Sequence, residues 1–272
     1  DLQVSPSLFV VTNLFSDHLV WHGSQAQYEA DKLRPASLQP VPPTMCDAAM
    51  KQRLPAGARC LHPGSLEHSD NELFFKGDRQ NVRLKNFPLK GEHNRANLNF
   101  AISALEFLGF DLPDQIDFST FKTLPHRLQE VRLPDGLLLV DDSISTTPFS
   151  VLQATAIYPL QKTHLFIGGF DRGIDYSSLQ DAGLEAAASI NLFGPVGERL
   201  LADGIFKSDV RMFNHYSLLS LQRERLPDMK DNEIALLSPG APSFDEFQDF
   251  ADRGTQFIEV ARRVRAGARK TV

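Results

Sequence analysis

Short apolar runs alternate with longer stretches in which apolar residues recur every three or four positions. The first run, Leu8-Phe-Val-Val-Thr-Asn-Leu14, predicts a buried strand, and the polar stretch 15–24 behind it predicts a loop at that strand's carboxyl end. Residues 25–34 have helical composition. Five prolines interrupt 35–55, which reads as irregular apart from a short helix over 47–53. β-type runs follow at 58–62, 72–76 and 81–84. From Asn94 to Leu108 the apolar residues Ala96, Leu98, Ala101, Ile102, Leu105 and Leu108 share one helical face, and Gly109 supplies the stop.

After Pro113 the chain turns polar through Phe121, and Leu124-Pro-His-Arg127 opens a new pattern. The pattern places a domain boundary there, giving domains 1–124 and 125–272. In the second, apolar runs at 137–140, 163–167, 191–193, 210–213 and 234–237 alternate with helical segments starting at Pro148, Ser177, Val196, Ser217, Ser243 and Gly254. Short strands separated by helices specify an α/β fold, with a mostly parallel sheet covered on both faces in a Rossmann-like arrangement. Ligands of such sheets sit beyond the carboxyl ends of the strands, so the loops 141–148, 168–175 and 238–243 are the ones to inspect.

Composition narrows the partners. Of 272 residues, 42% are apolar and 23% charged, so a packed core is expected; the net charge of −6 gives no basic footprint for nucleic acid or for an anionic membrane surface. Small-molecule partners and a monomer are expected. Cys46 and Cys60 are too few for a disulfide framework and lack metal-site spacing, which predicts reduced, inert thiols in a reducing cytoplasm. No apolar run approaches the roughly 18 residues of a membrane span. Asp1 stands almost against the first strand, so the chain reads as part of a longer one.

Each of the three loops puts hydroxyls, carboxylates or glycines where a strand gives way to a helix: Asp141-Asp-Ser-Ile-Ser-Thr-Thr-Pro148, Gly168-Gly-Phe-Asp-Arg-Gly-Ile-Asp175 and Ser238-Pro-Gly-Ala-Pro-Ser243. Helix capping and turn chemistry account for any one of them, whereas three on one edge suggest a binding site. Arg172 is either a carboxylate clamp or a solvated arginine. Asn94 and Asn97, three apart at a helix start, can face one ligand; capping explains Asn94 as well, but not Asn97. His18 stands at a strand end and Lys32 follows 14 residues on. A phosphate loop, a nucleophile elbow and a zincin pair are all absent from the sequence.

Taken in order, these segments resemble the Mur ligases. Thr12-Asn-Leu-Phe-Ser-Asp-His18 with Tyr28-Glu-Ala-Asp-Lys32 is similar to the family's metal and carbamate segment. Gly91-x-His93-Asn94-x-x-Asn97 is similar to its adenine-side motif, and Pro125-His-Arg127 to the start of its C-terminal domain. Asp142-Ser143, Gly168-Gly169 with Arg172-Gly173, and Leu237 through Phe247 with Arg253-Gly254 are most similar to the branch that adds glutamate.

The resemblance implies a central ATPase domain over 1–124 and a glutamate-binding domain over 125–272. It implies that His18 and a carbamylated Lys32 hold Mg2+, and that Asn94, Asn97, Arg127 and Asp142 hold ATP. Thr146, Arg172, Ser243, Phe244 and Phe250 would line the glutamate pocket. The implied reaction activates the carboxylate of UDP-N-acetylmuramoyl-L-alanine as an acyl phosphate, which the glutamate amine then attacks. The family's N-terminal domain and phosphate loop would lie upstream of Asp1, so this chain alone is not expected to turn over ATP.

Two positions depart from the usual glutamate-adding motif, which has lysine where this chain has Ile144 and Arg172. The Asp-Ser-Ile-Ser-Thr-Thr-Pro form resembles a variant branch that adds L-glutamate rather than D-glutamate, and that branch is favoured. A folylpolyglutamate synthetase-like ligase and a binding module without catalysis are the alternatives.

Overall fold

The computed structural model describes residues 4–15, 19–69, 72–207 and 211–268, and divides the chain into two compact units, 1–122 and 123–272. The sequence pattern sets the boundary two residues later.

The first unit holds two sheets. β1 (Phe9–Val11), β2 (Pro43–Cys46) and β3 (Arg59–Leu61) form a parallel sheet in that order; between β1 and β2 come α1 (Leu19–His22) and α2 (Gln25–Leu33), and α3 (Ala48–Lys51) follows β2. Val11, Leu14, Tyr28, Leu33, Cys46 and Met50 make its small core. Ser24 caps α2 by accepting from the Gln27 amide at 3.1 Å. β2 lies inside the segment expected to be irregular, because its short run Pro-Thr-Met-Cys shows no alternation of exposed and apolar positions and stands beside prolines.

The second sheet pairs β4 (Ser65–Ser69), β5 (Glu72–Lys76) and β6 (Asn81–Lys85) antiparallel, with β7 (Gln115–Asp117) added parallel to β6. Phe75, Val82 and Leu84 pack against Leu98 and Ile102 of α4 (Glu92–Phe107). Gly109, at φ 87°, follows the end of α4. The Glu106 carboxylate of α4 accepts from the amides of Asp78, Arg79 and Gln80 at 3.1, 2.9 and 2.8 Å, fixing the β5–β6 turn.

The second unit is a six-stranded sheet. In chain order its elements are β8 (Gln129–Arg132), β9 (Leu138–Asp141), α5 (Pro148–Thr155), β10 (Thr163–Gly168), β11 (Ser189–Phe193), α6 (Gly194–Ala202), β12 (Met212–His215), α7 (Leu218–Arg225), β13 (Ile234–Leu237) and α8 (Phe250–Ala268). The spatial order is β12-β11-β10-β13-β9-β8, parallel except for the antiparallel edge strand β8. The α/β reading from the sequence therefore holds.

Alternate residues of the central strands face opposite cores. Val140, Leu165, Ile167, Leu192 and Leu236 pack with Val151 of α5 and Val196 of α6; Leu139, Phe166, Phe193 and Leu237 pack with Leu221 of α7 and Phe257 of α8. Each such side chain removed from water contributes roughly 1.5–3 kcal/mol, and burial on both faces is why these strands read as continuous apolar runs.

Two expectations are corrected. The helix expected from Ser177 is replaced by separate one-turn 3-10 helices, Ser177–Leu179 and Leu184–Ala186. Gly183, left-handed at φ 77°, interrupts the segment, and the Asp175 carboxylate accepts from the Ser177 amide at 2.8 Å in a local turn. The helices expected from Ser243 and Gly254 are one helix beginning at Phe250, with Gly254 inside it. Among the described residues, no helix is long and apolar enough to cross a membrane.

Candidate functional site

In the second unit the three loops singled out from the sequence meet at the carboxyl ends of β9, β10 and β13. Backbone bonds lace them together. The Gly168 amide donates to the Pro239 carbonyl at 2.9 Å, Phe170 to Pro242 at 2.9 Å, Gly240 to Ser145 at 3.1 Å and Asp142 to Leu237 at 2.8 Å. Gly169, at φ 129°, lies so close to the Pro242 carbonyl and the Arg253 guanidinium that a Cβ there would overlap the carbonyl.

Arg253, in the first turn of α8, is fully buried beneath these loops. It donates to the Ser143 hydroxyl and carbonyl at 2.9 and 2.8 Å, to the Ala241 carbonyl at 3.0 Å and to the Pro242 carbonyl at 3.1 Å. Burial draws its pKa down to about 10, against the attraction of Asp245 and Asp141, so it remains a cation at neutral pH. One guanidinium thus joins the first loop to the third.

Asp142 is the second hub. Its carboxylate accepts from the hydroxyls of Ser145 and Ser238, the latter at 3.0 Å, and from the Leu128 amide at 3.2 Å. Burial pushes its pKa up to about 6 although these donors and Arg127 favour the ionised form. Its neighbour Asp141 accepts from His126 Nδ1 at 2.7 Å and from the Ser143 amide at 3.0 Å.

Together the two aspartates fix an unusual backbone. His126 and Leu128 adopt left-handed conformations at φ 59° and 49°, which non-glycine residues rarely occupy. The Asp141–His126 and Asp142–Leu128 bonds hold them there, and the exposed Arg127 is displayed between them.

Of the residues expected in a glutamate pocket, Arg172 and Thr146 come together: Arg172 Nη2 donates to the Thr146 carbonyl at 3.0 Å. The loop carrying Arg172 is braced by Arg199, which pairs with Asp171 at 3.0 Å and donates to the Ile174 carbonyl at 2.7 Å. Ser243 is only 2% exposed, and its carbonyl accepts from the Phe247 amide at 2.9 Å. Phe244 stands out at 69% exposure, while Phe250 lies edge-on to His126 at 6.2 Å between ring centroids. Ile144, half-buried, donates its amide to the His126 carbonyl at 3.2 Å.

The remaining candidates belong to the first unit. Asn94 is buried, but it does not cap α4: the cap is Gly91, the helix begins at Glu92, and the Asn94 amide side chain hooks back to the Lys90 carbonyl at 2.7 Å. Asn97, on the same helix, is exposed. Lys32 is an exposed residue in the last turn of α2, its ammonium 5.8 Å from the Tyr28 ring centroid. His18 lies outside the described residues.

The sequence reading left out His126, Arg253, Ser145 and Ser238 as site residues. Pro125-His-Arg127 and Arg253-Gly254 were visible as motifs, yet nothing local says that a helical arginine is buried under three loops.

No family model matches the sequence. A UDP-N-acetylmuramoyl-L-alanine–L-glutamate ligase of Xanthomonas campestris pv. campestris (strain 8004) is 34% identical over 271 residues, covering 94% of this chain and 57% of the relative. Over nearly its whole length the chain is thus similar to a ligase of the Mur type. A ligase of the same name from a Micromonospora species is 32% identical, covering 96% of the chain and 61% of its own length. The fold agrees: the crystal structure of MurF ligase from Thermotoga maritima in complex with ADP superposes with a TM-score of 0.67 at 15% identity, over 98% of this chain and 63% of that one. The chain thus spans about 57–61% of the length of those two relatives.

Proposed function

We propose that this chain serves an ATP-dependent amide ligase that joins glutamate to UDP-N-acetylmuramoyl-L-alanine through an acyl phosphate, in the synthesis of peptidoglycan precursors in the cytoplasm. The observation that carries the reading is the loop cluster built on Asp142 and Arg253, in a chain whose relatives are named for that reaction.

In this reading the 1–124 segment contributes to nucleotide binding and the 125–272 segment receives the amino acid. Arg172, anchored on the Thr146 carbonyl, grips a glutamate carboxylate through its guanidinium. Ser243, Phe244 and Phe250 shape the remainder of that pocket. Asn94, Asn97, Arg127 and Asp142 contact ATP, Arg127 offering its cation to phosphate oxygens. Asp142, with a pKa of about 6, is ionised at neutral pH and holds the strained segment that displays Arg127. Preorganised charge of this kind stabilises a transferring phosphoryl group without reorganisation.

Magnesium would supply Lewis-acid stabilisation of the phosphoryl oxygens. Among the described residues no group of three metal-ligating acids, histidines or cysteines occurs, and Lys32 would serve as a ligand only as a carbamate. Carbamylation of Lys32 and ligation by His18 belong to the proposal, and no step above runs through the metal.

L-glutamate is the favoured amino acid. Ile144, two residues before Thr146, supports it: the usual glutamate-adding motif has lysine at that position, and an apolar residue leaves one cation fewer to hold a carboxylate. The test is phosphate release by the full-length protein with UDP-N-acetylmuramoyl-L-alanine and each glutamate enantiomer. Release with L-glutamate alone is expected; release with D-glutamate alone rejects the L branch. A response only to a folate acceptor replaces the substrate assignment, and no release with any acceptor removes the enzymatic reading.

A further inference from the structure

Cys46, the last residue of β2, and Cys60, in the middle of β3, have their sulfur atoms 3.2 Å apart. The strand register pairs Thr44 with Cys60, so Cys46 lies two residues further along the same face and the two thiols meet on a diagonal. Cys46 is fully buried and Cys60 is partly exposed, so a solvent-borne reagent reaches one sulfur and finds the second in contact with it. Thirteen residues separate the two cysteines in the chain, and only the β2–β3 pairing brings them together.

We propose that Cys46 and Cys60 form a reversible modification site, oxidised to a disulfide by a hydroperoxide. Cys60 attacks first: its thiolate takes one oxygen of hydrogen peroxide, the O–O bond breaks, and hydroxide leaves, giving a sulfenic acid. The Cys46 sulfur then attacks the Cys60 sulfur, the S–OH bond breaks, and the Cys46 proton leaves with the hydroxyl as water. Two electrons pass from the two sulfurs to the peroxide, which ends as two molecules of water. The order follows from the environment, because burial and then the contact with Cys60 push the Cys46 thiol up to about 12 and keep it protonated.

The diagonal sets the character of the bond. With parallel strands about 4.8 Å apart and a rise of about 3.3 Å per residue, Cα atoms two positions out of register stand roughly 8 Å apart, past the usual limit of about 6.8 Å for a disulfide. Oxidation therefore draws the end of β2 toward β3. Asp47, the next residue, caps α3 by accepting from the Met50 amide at 2.7 Å, so the movement is felt at the start of that helix. A strained disulfide is readily reduced, which makes the modification reversible. The proposal does not depend on the assignment of substrate.

The experiment treats the reduced full-length protein with hydrogen peroxide, blocks remaining thiols and digests with trypsin, for which Lys51, Arg53 and Arg59 lie between the cysteines. A linked peptide pair containing Cys46 and Cys60 is expected from protein that runs as a monomer on a non-reducing gel, and dithiothreitol should abolish it. Amide exchange over 48–51 should rise on oxidation. In Cys46→Ser, dimedone should trap sulfenic acid at Cys60. Over-oxidation of Cys60 with Cys46 still free in the parent protein, or a link only between separate molecules, overturns the proposal.

Discussion

Arg253 reaches from the first turn of α8 to Ser143 in the loop after β9, donating to its hydroxyl at 2.9 Å and to its carbonyl at 2.8 Å. Because Ala241 and Pro242 share the same guanidinium, its removal strands several buried acceptors at once. Arg253→Met is expected to destabilise the protein by about 3–5 kcal/mol, and Arg253→Lys by less, since an ammonium keeps the charge but cannot span both loops. Urea unfolding measures this, and a methionine variant as stable as the parent would show that the guanidinium is not what joins the loops.

Gly254 gives a prediction whose sign opposes helix propensity. In an exposed helix interior, alanine for glycine gains up to about 1 kcal/mol. Here a Cβ would overlap the Asp141 carboxylate and His126 Nδ1, the pair that holds the left-handed His126. Crowding of that kind costs about 1–3 kcal/mol, so Gly254→Ala should lower the urea midpoint. A raised midpoint would mean that the pair yields at no cost.

These two residues also mark where sequence reading stops. The strands β9, β10, β11 and β13 are legible because they are buried on both faces and read as continuous apolar runs. β8, β4 and β7 are not, since an edge or half-exposed strand of three to five mixed residues carries no periodic signal. The three loops were legible from their hydroxyls and glycines. The hub beneath them was not: Arg253 lies 110 residues from Ser143, and a long-range buried cation leaves no local trace. Only the capping alternative for Asn94 falls, because α4 starts at Glu92, two residues before the start that the apolar pattern sets, and Asn94 lies inside the helix.

His164 predicts an acid sensitivity. It is buried in β10, with Nδ1 2.7 Å from the Ser189 hydroxyl and Nε2 2.9 Å from Glu233. Burial lowers its pKa below the ordinary 6.5, outweighing Glu233. Below pH 6.5 the unfolded chain then binds a proton that the fold refuses, so this contribution to stability is complete above 6.5 and is lost as pH falls toward the lowered value. Asp142 acts in the opposite sense, because its raised pKa adds stability as pH falls from about 6 toward the ordinary aspartate value near 3.8. Comparing the parent with His164→Gln from pH 7 to 5 separates the two. The parent's stability relative to the variant should fall through that range, and a constant difference would rule out titration of His164.

Arg172→Ala tests the proposed clamp directly. The guanidinium is tied to the Thr146 carbonyl, and its loop is braced by the Arg199–Asp171 pair, so truncation removes a positioned cation without loosening the loop's own anchor. A charge-assisted bond to a carboxylate contributes about 1.5–3 kcal/mol, which corresponds to a rise of roughly 10- to 150-fold in the KM for glutamate. The KM for ATP should change little, and lysine should restore part of the loss, because it keeps the charge but not the two-pronged geometry. Steady-state assays on the full-length protein, varying one substrate at a time, read both constants. Equal increases for glutamate and ATP would assign Arg172 to general loop structure instead of carboxylate recognition.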